Sequence, residues 1–400
     1  MQRSEQRILT THVGSFPRSP RLLDLLVQRN TGGHVDDAVL ERQLKTDMDE
    51  VIQKQAEVGI DVGGDGELPR IGFSFYVKDR MVSGFGGVAK RGTLTDFAKF
   101  PGYAALKAKA FSKEGAPGLT TSATLYAAPE CQGEILYDPE RRAARDEMRL
   151  FRASLNRIPA RFAETFVTAA TPGIISTTML RSSGNLTYRD DREYLRALAR
   201  ELKKEYAEII AAGHVLQLDA PDLALERQIM FAGQPLDAFL ERARWHIDAL
   251  NEAIADLPRD RVRLHVCWGN IDSPHIDDVE LEPLLPILYE AKVGALSIAG
   301  ANPRHQHDWK LFRRYPLPSE MLLIPGVIDV TTNYLEHPEV VADRICAFAD
   351  AVGDPKRIIA STDCGFSTFA GYTFVAHDVV WTKLQMLVDG ARIASRRLFS

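Results

Sequence analysis

"DREYLRALARELKKEYAEIIAAGHVLQLD", residues 191–219, holds in one stretch the pattern that decides the fold. Its first part, 191–213, repeats apolar residues at helical spacing and stops at Gly213, the residue type that most often closes a helix. Its last six residues, HVLQLD (214–219), form a short apolar run that ends on an acid. A helix feeding a short buried strand is one unit of an alternating α/β fold.

The unit recurs along the chain. Further apolar runs stand at ILTTHVGS (8–15), VGIDVGGDGE (58–67), GIISTTML (173–180), RVRLHVCWG (261–269), VGALSIAG (293–300), LLIPGVIDV (322–330) and RIIASTDCG (357–365). Most are continuously apolar rather than alternating, as parallel strands buried on both faces are. Helical patterns at 235–257 and 338–353 separate later members. Eight such units predict an α/β fold, a (β/α)8 TIM barrel, as a single catalytic domain over residues 1–400. A doubly wound sheet is the alternative, and it gives no reason for eight units. Residues 80–172 break the rhythm, being far longer than a βα crossover. With GFGG (84–87), KEGAPG (113–118) and a helical stretch at 143–166, they read as an insertion after strand two with its own hairpin and helices. Such an excursion serves as a lid or as a contact in a homo-oligomer.

Composition narrows the function classes. The 400 residues are 45% hydrophobic and 26% charged, an ordinary globular balance. The net charge of −5 and the lack of a basic stripe argue against a nucleic-acid partner. No apolar run is long enough to span a membrane, and the N-terminal residues lack the apolar core of a secretory signal. Four cysteines in so long a chain are not a disulfide framework. They point to a reduced, cytoplasmic setting, where cysteine more often binds metal or does chemistry.

In this fold the strands deliver functional groups at their C-terminal ends. Ser15, Glu67, Asp219, His265, Cys267 and Cys364 all stand at such ends. His265 and Cys267 are two residues apart, so on a strand they share a face. Cys364 can reach the same rim from the eighth strand. Two thiolates and an imidazole suit Zn²⁺ and leave one tetrahedral position open. The metal would turn a bound thiol into a thiolate nucleophile. The plainer alternative is a chance pair of buried, inert cysteines. Arg304, in ANPRHQHDW, either grips an anionic substrate group or forms a structural ion pair. His12 reads equally as support for the site or as a core histidine, Asp65 as a turn cap, and Cys131 and Cys346 as inert.

TTHVGSFPR (10–18), GIDVGGDGE (59–67), LQLDAPDLA (216–224), HVCWGN (265–270), ANPRHQHDW (301–309), GVIDVTTNYLEHPEVVADRI (326–345) and STDCGF (361–366) together resemble the cobalamin-independent methionine synthase family. The chain is most similar to its short, single-barrel members, a group that includes epoxyalkane:coenzyme M transferases. The resemblance runs from about residue 8 to 398, apart from 80–172. It implies a barrel whose zinc, held by His265, Cys267 and Cys364, activates a thiol for alkylation. It further implies that Ser15 helps hold an amino acid and that Glu67 and Asp219 bind its ammonium group. The expected function is thus a zinc-dependent S-alkyltransferase. It would take a small-molecule thiol, homocysteine-like or coenzyme M-like, and a methyl or other alkyl donor. An epoxide-opening thiol transferase or C–S lyase is one alternative; a non-catalytic metal- or ligand-binding barrel is another. Two departures from the family pattern stand out. A glutamate ligand after strand six is replaced by Ala299, with His305 and His307 as nearby substitutes. A proton-shuttling histidine after strand seven is replaced by Thr331, with His337 nearby.

Overall fold

Leu9–Thr10 (β1), Val62–Gly64 (β2), Glu164–Ala170 (β5), Val215–Asp219 (β6), Val262–Val266 (β7), Ala295–Ile298 (β8), Leu322–Ile328 (β9) and Ile359–Thr362 (β10) form one parallel sheet in a computed structural model. The structure describes residues 1–110, 128–372 and 374–399, so KEGAPG (113–118) lies outside the described residues. The sheet order is β1-β10-β9-β8-β7-β6-β5-β2. A parallel bridge between Thr11 and Val62 joins its two ends, backed by the Thr11 hydroxyl donating to the Val62 carbonyl at 3.0 Å. The result is a (β/α)8 barrel. Every residue of β6, β7, β8, β9 and β10 is buried, which is why these strands read as unbroken apolar runs.

The expected helices form where the 3.6-residue pattern places them. Asp191–Ala211 starts on Asp190, whose carboxylate accepts from the Glu193 N–H at 2.8 Å. It ends two residues before Gly213. Pro338–Val352 follows the same logic, capped by His337 and closed by Gly353, whereas Leu236–Ala253 forms behind Pro235 without a side-chain cap. No helix of the described residues is long and apolar enough to cross a membrane.

One strand was misplaced. GIISTTML (173–180) is not the third strand, because Pro172–Thr178 is a helix. Thr171 caps it, its hydroxyl accepting from the Ile174 N–H at 3.3 Å, and Pro172 stands at its first position. An apolar run alone cannot separate a buried strand from a buried helix, but the Thr-Pro start can. The third barrel strand is β5, within the stretch read as insertion. It was hidden because Glu164 and Thr165 are polar and Ala169 and Ala170 are small. The strands are also shorter than the runs that announced them. β1 has two residues where 8–15 was expected, because the polar ends of the runs are loops over the barrel mouth.

Between β2 and β5 lie an antiparallel pair, Met81–Gly86 (β3) and Glu130–Tyr137 (β4), and the helix Arg142–Arg157, which packs against the helices Asp37–Val58 and Asp191–Ala211. A buried charge network pins this region down. Glu147 receives Arg70 at 3.0 Å on one oxygen and Arg80 on the other. Glu205 accepts the hydroxyls of Tyr76 and Tyr137, both at 2.7 Å. Both guanidinium groups are buried, so removing their shared partner leaves Arg70 without its ion pair and Arg80 with only Glu205, at 3.9 Å. Glu147→Ala is therefore expected to lower unfolding free energy by about 3–5 kcal/mol, read by urea denaturation. A change within about 0.5 kcal/mol would show that the network contributes nothing.

Candidate metal centre and substrate cavity

β6, β7 and β10 end around one point at the barrel mouth. His265 lies within β7 and Cys267 one residue past its end; Cys364 follows β10. All three are buried, and their ligand atoms lie within 4.8 Å of one another. The two sulfurs are 4.0 Å apart. Two thiolates each about 2.3 Å from a tetrahedral zinc would stand about 3.8 Å apart. His265 Nε2 is buried with no hydrogen-bond partner, while its Nδ1 lies 3.4 Å from the Ser297 hydroxyl. A buried, unpartnered imidazole nitrogen beside two sulfurs fits a metal ligand, with the other nitrogen held by a neighbour. The contact with Cys364, and then the nearby His265, hold the Cys267 thiol well below its usual range, while Cys364 is pushed up by the same contact and by burial.

The loops carrying the cysteines are tied together. Asn270 donates to the Gly365 carbonyl at 2.7 Å, joining the β7 loop to the β10 loop. Asp363 does not face the metal group. Its carboxylate accepts the backbone N–H groups of Gly300 and Ala301 at 2.8 Å and of Asn302 at 2.7 Å. It thereby holds the loop after β8 against Cys364.

Glu67 and Asp219 line the same cavity, of ≈ 520 Å³, as His265, Cys267, Cys364 and Ser15. Glu67 has a left-handed backbone, φ 55, a costly conformation for a side-chain-bearing residue outside a turn that needs it. Asp65 makes the turn possible by accepting the Glu67 N–H at 3.0 Å, the capping role its position implied. Glu67 Oε1 accepts the Thr168 hydroxyl at 3.0 Å, and Oε2 has no partner. A Cβ on Gly14 would fall 2.4 Å from Oε1, so only glycine lets the first-strand loop pass this close. Likewise, a Cβ on Gly365 would meet the Ser15 hydroxyl at 2.1 Å. Burial, and then the charge of Asp219, push the Glu67 carboxyl up to about 8. Burial also pushes Asp219 up to about 6, although Gln217 donates to it at 2.7 Å. Two buried carboxyls that resist ionising are poised to receive a cation.

Other sequence candidates fall elsewhere. Arg304 is exposed, 3.7 Å from Glu280, and does not line the cavity. His12 is enclosed by Phe16 and Phe166, with Nε2 2.9 Å from Gln55. Ala299 does stand beside the metal group, on a pocket of ≈ 20 Å³ shared with Cys267 and Cys364. Neither nearby histidine replaces a glutamate there. His305 is held by Asp278 at 2.7 Å and Asp308 at 3.2 Å and stacks on Trp268, and His307 is exposed. The Thr331 hydroxyl donates to Asp329 at 2.9 Å, and His337 caps the helix Pro338–Val352. The cavity also has walls the sequence did not disclose: Arg91 and the aromatics Phe73, Phe75 and Phe369, while Thr168 of β5 supports Glu67 from behind. The wall residues come from connections that follow no strand or helix period, so no pattern could have assembled them.

The family model for the cobalamin-independent synthase catalytic domain matches residues 8–91 and 165–392. The chain is 25% identical over 392 residues to a methionine synthase of Sulfolobus acidocaldarius, covering 97% of this chain and 93% of that one. It is 23% identical over 419 residues to 2-hydroxypropyl-CoM lyase of Xanthobacter autotrophicus, covering 98% and 96%. Among solved structures, a B12-independent methionine synthase from Shewanella sp. W3-18-1 superposes with a TM-score of 0.70 at 19% identity, covering 98% of this chain and 99% of that one. That likeness agrees with the barrel.

Proposed function

The chain belongs to the cobalamin-independent synthase catalytic-domain family, and from that premise we propose that it is a zinc-dependent S-alkyltransferase acting on an amino-acid thiol such as homocysteine. The observation that carries the reading is one cavity in which a His265–Cys267–Cys364 donor set faces the buried carboxyls of Glu67 and Asp219. His265, Cys267 and Cys364 would hold zinc, which when bound stabilises a substrate thiol as its thiolate at neutral pH. Ala299 brings no fourth protein ligand, so a coordination position is left to the substrate. Glu67 and Asp219 receive the ammonium group and Ser15 helps hold the amino acid, which aims the sulfur. The sulfur attacks the alkyl carbon in line, forming S–C as the bond to the leaving group breaks with its electron pair.

Purified protein is expected to contain stoichiometric zinc and to convert homocysteine to an S-alkyl product. Protein that holds no zinc at neutral pH, by metal analysis, would overturn the reading. An epoxide-opening or C–S-cleaving activity on a coenzyme M-like thiol is the second reading, favoured by the similarity to 2-hydroxypropyl-CoM lyase. It requires a cationic clamp for the sulfonate. Arg18 is committed to the carbonyls of Phe16, Ser367, Glu67 and Arg70, and Arg70 to Glu147 and Thr168. Homocysteine is therefore expected to raise the Tm of the zinc-loaded protein more than coenzyme M does. The reverse order would favour the second reading.

A further inference from the structure

The lining of the cavity divides by chemistry. Glu67, Asp219 and the metal group supply its titratable part, and Phe73, Phe75, Phe97, Phe369, Leu225 and Ile229 supply aromatic and apolar walls. The aromatics form a continuous face: Phe369 lies 5.5 Å from Phe73 at 65° and 5.2 Å from Phe75 at 45°. Among the described lining residues, Arg91 is the one guanidinium or ammonium group. It is paired with Glu226, a carboxylate 1% exposed that has no other ion-pair partner among the described residues. A substrate anion that captured Arg91 would leave Glu226 buried and uncompensated, next to a cavity already holding two carboxyls.

From this division we infer that the alkyl donor is a neutral molecule with an aromatic or bulky apolar body, of the class of aryl alkyl ethers, rather than a polyanionic carrier. The inference rests on the transferase reading and names the second substrate of the same site. The donor's ring lies on the aromatic wall of the cavity that the metal group also lines, with its O-alkyl carbon turned toward the metal-held sulfur. A new S–C bond forms as the C–O bond breaks, and the ether oxygen leaves with both electrons. It takes up the proton that the thiol gave up, so thiol and ether become thioether and phenol, with no oxidant or reductant. Aromatic contacts favour such a ring over a flexible chain.

The test is isothermal titration calorimetry of zinc-loaded protein holding homocysteine, with 2-methoxynaphthalene and methyltetrahydrofolate triglutamate as probes. The neutral probe is expected to bind at least about tenfold more tightly. Phe75→Ala, a partly exposed wall position, is expected to weaken the neutral probe about tenfold while zinc content and homocysteine binding stay unchanged. Leu225→Arg is expected to shift the preference toward the folate. Tighter folate binding by the unmodified protein would overturn the inference, as would a Phe75→Ala variant with unaltered affinity for the neutral probe. Either result, with zinc and homocysteine still bound, leaves the transferase reading standing. Loss of zinc or of homocysteine binding in the unmodified protein would instead strike that reading and this inference with it.

Discussion

Cys267→Ala is expected to lower zinc affinity by about 10²–10³-fold and to abolish thiol alkylation. Structural zinc sites with four ligands bind with an apparent ~10–16 kcal/mol, or about 2.5–4 kcal/mol per ligand, which corresponds to that loss. The effect here should lie at the upper end. The variant would keep only His265 and Cys364, and Ala299 has no donor atom to fill in. Cys364→Ala should behave alike, because the two sulfurs stand 4.0 Å apart and serve one centre. Cys131 is the internal control. It is buried with its thiol against the Gly133 carbonyl at 3.4 Å, away from the cavity, and Cys131→Ala should retain zinc. Competition with a chromophoric chelator measures all three. Equal affinities for Cys267→Ala and the unmodified protein would remove this residue from the metal centre.

Asp219→Asn is expected to lower kcat/KM for homocysteine by about 10²–10³-fold, as loss of one member of a buried charge pair does. The loss should be specific to the ammonium group. With 4-mercaptobutanoate, which lacks it, the variant and the unmodified protein should differ little. The unmodified protein should also show a pH signature. Only ionised carboxylates attract the ammonium, whereas burial holds Glu67 up to about 8 and Asp219 up to about 6. Homocysteine affinity should therefore rise as pH increases from about 6 to about 8, each carboxyl losing its proton in turn. Below that window binding must first expel protons, so affinity falls. A pH-independent affinity for homocysteine, or equal losses for both thiols, would show that these carboxyls do not hold the ammonium group.

Much of the fold was legible because buried parallel strands and amphipathic helices write their burial directly into residue order. The helix 191–213 and the strands around HVLQLD and RVRLHV were readable for this reason. The third strand was not. GIISTTML has strand-like residues, but Thr171 and Pro172 start a helix there, while β5 carries weak strand signals. Boundaries were less legible. VGIDVGGDGE and LLIPGVIDV ran past β2 and β9, because the polar residues at their ends belong to loops at the mouth, whereas HVLQLD ended with β6 at Asp219.

The site divides along the same line. By itself, the sequence pointed to His265 and Cys267 sharing a face, as side chains two apart on a strand do, and the structure brings them together although Cys267 lies one residue past β7. The sequence also determined that Ala299 and Thr331 bring neither a metal ligand nor a base. Only the tertiary structure decided that Cys364, 97 residues from Cys267, stands 4.0 Å from it. Only there does Arg304 pair with Glu280 outside the cavity, while Arg91 and the phenylalanines of three loops wall it. Periodicity reports the neighbours a residue meets along its own strand or helix. Barrel closure sets which loop ends meet across the mouth, and those meetings depend on strand order and loop path, which no period along the chain records.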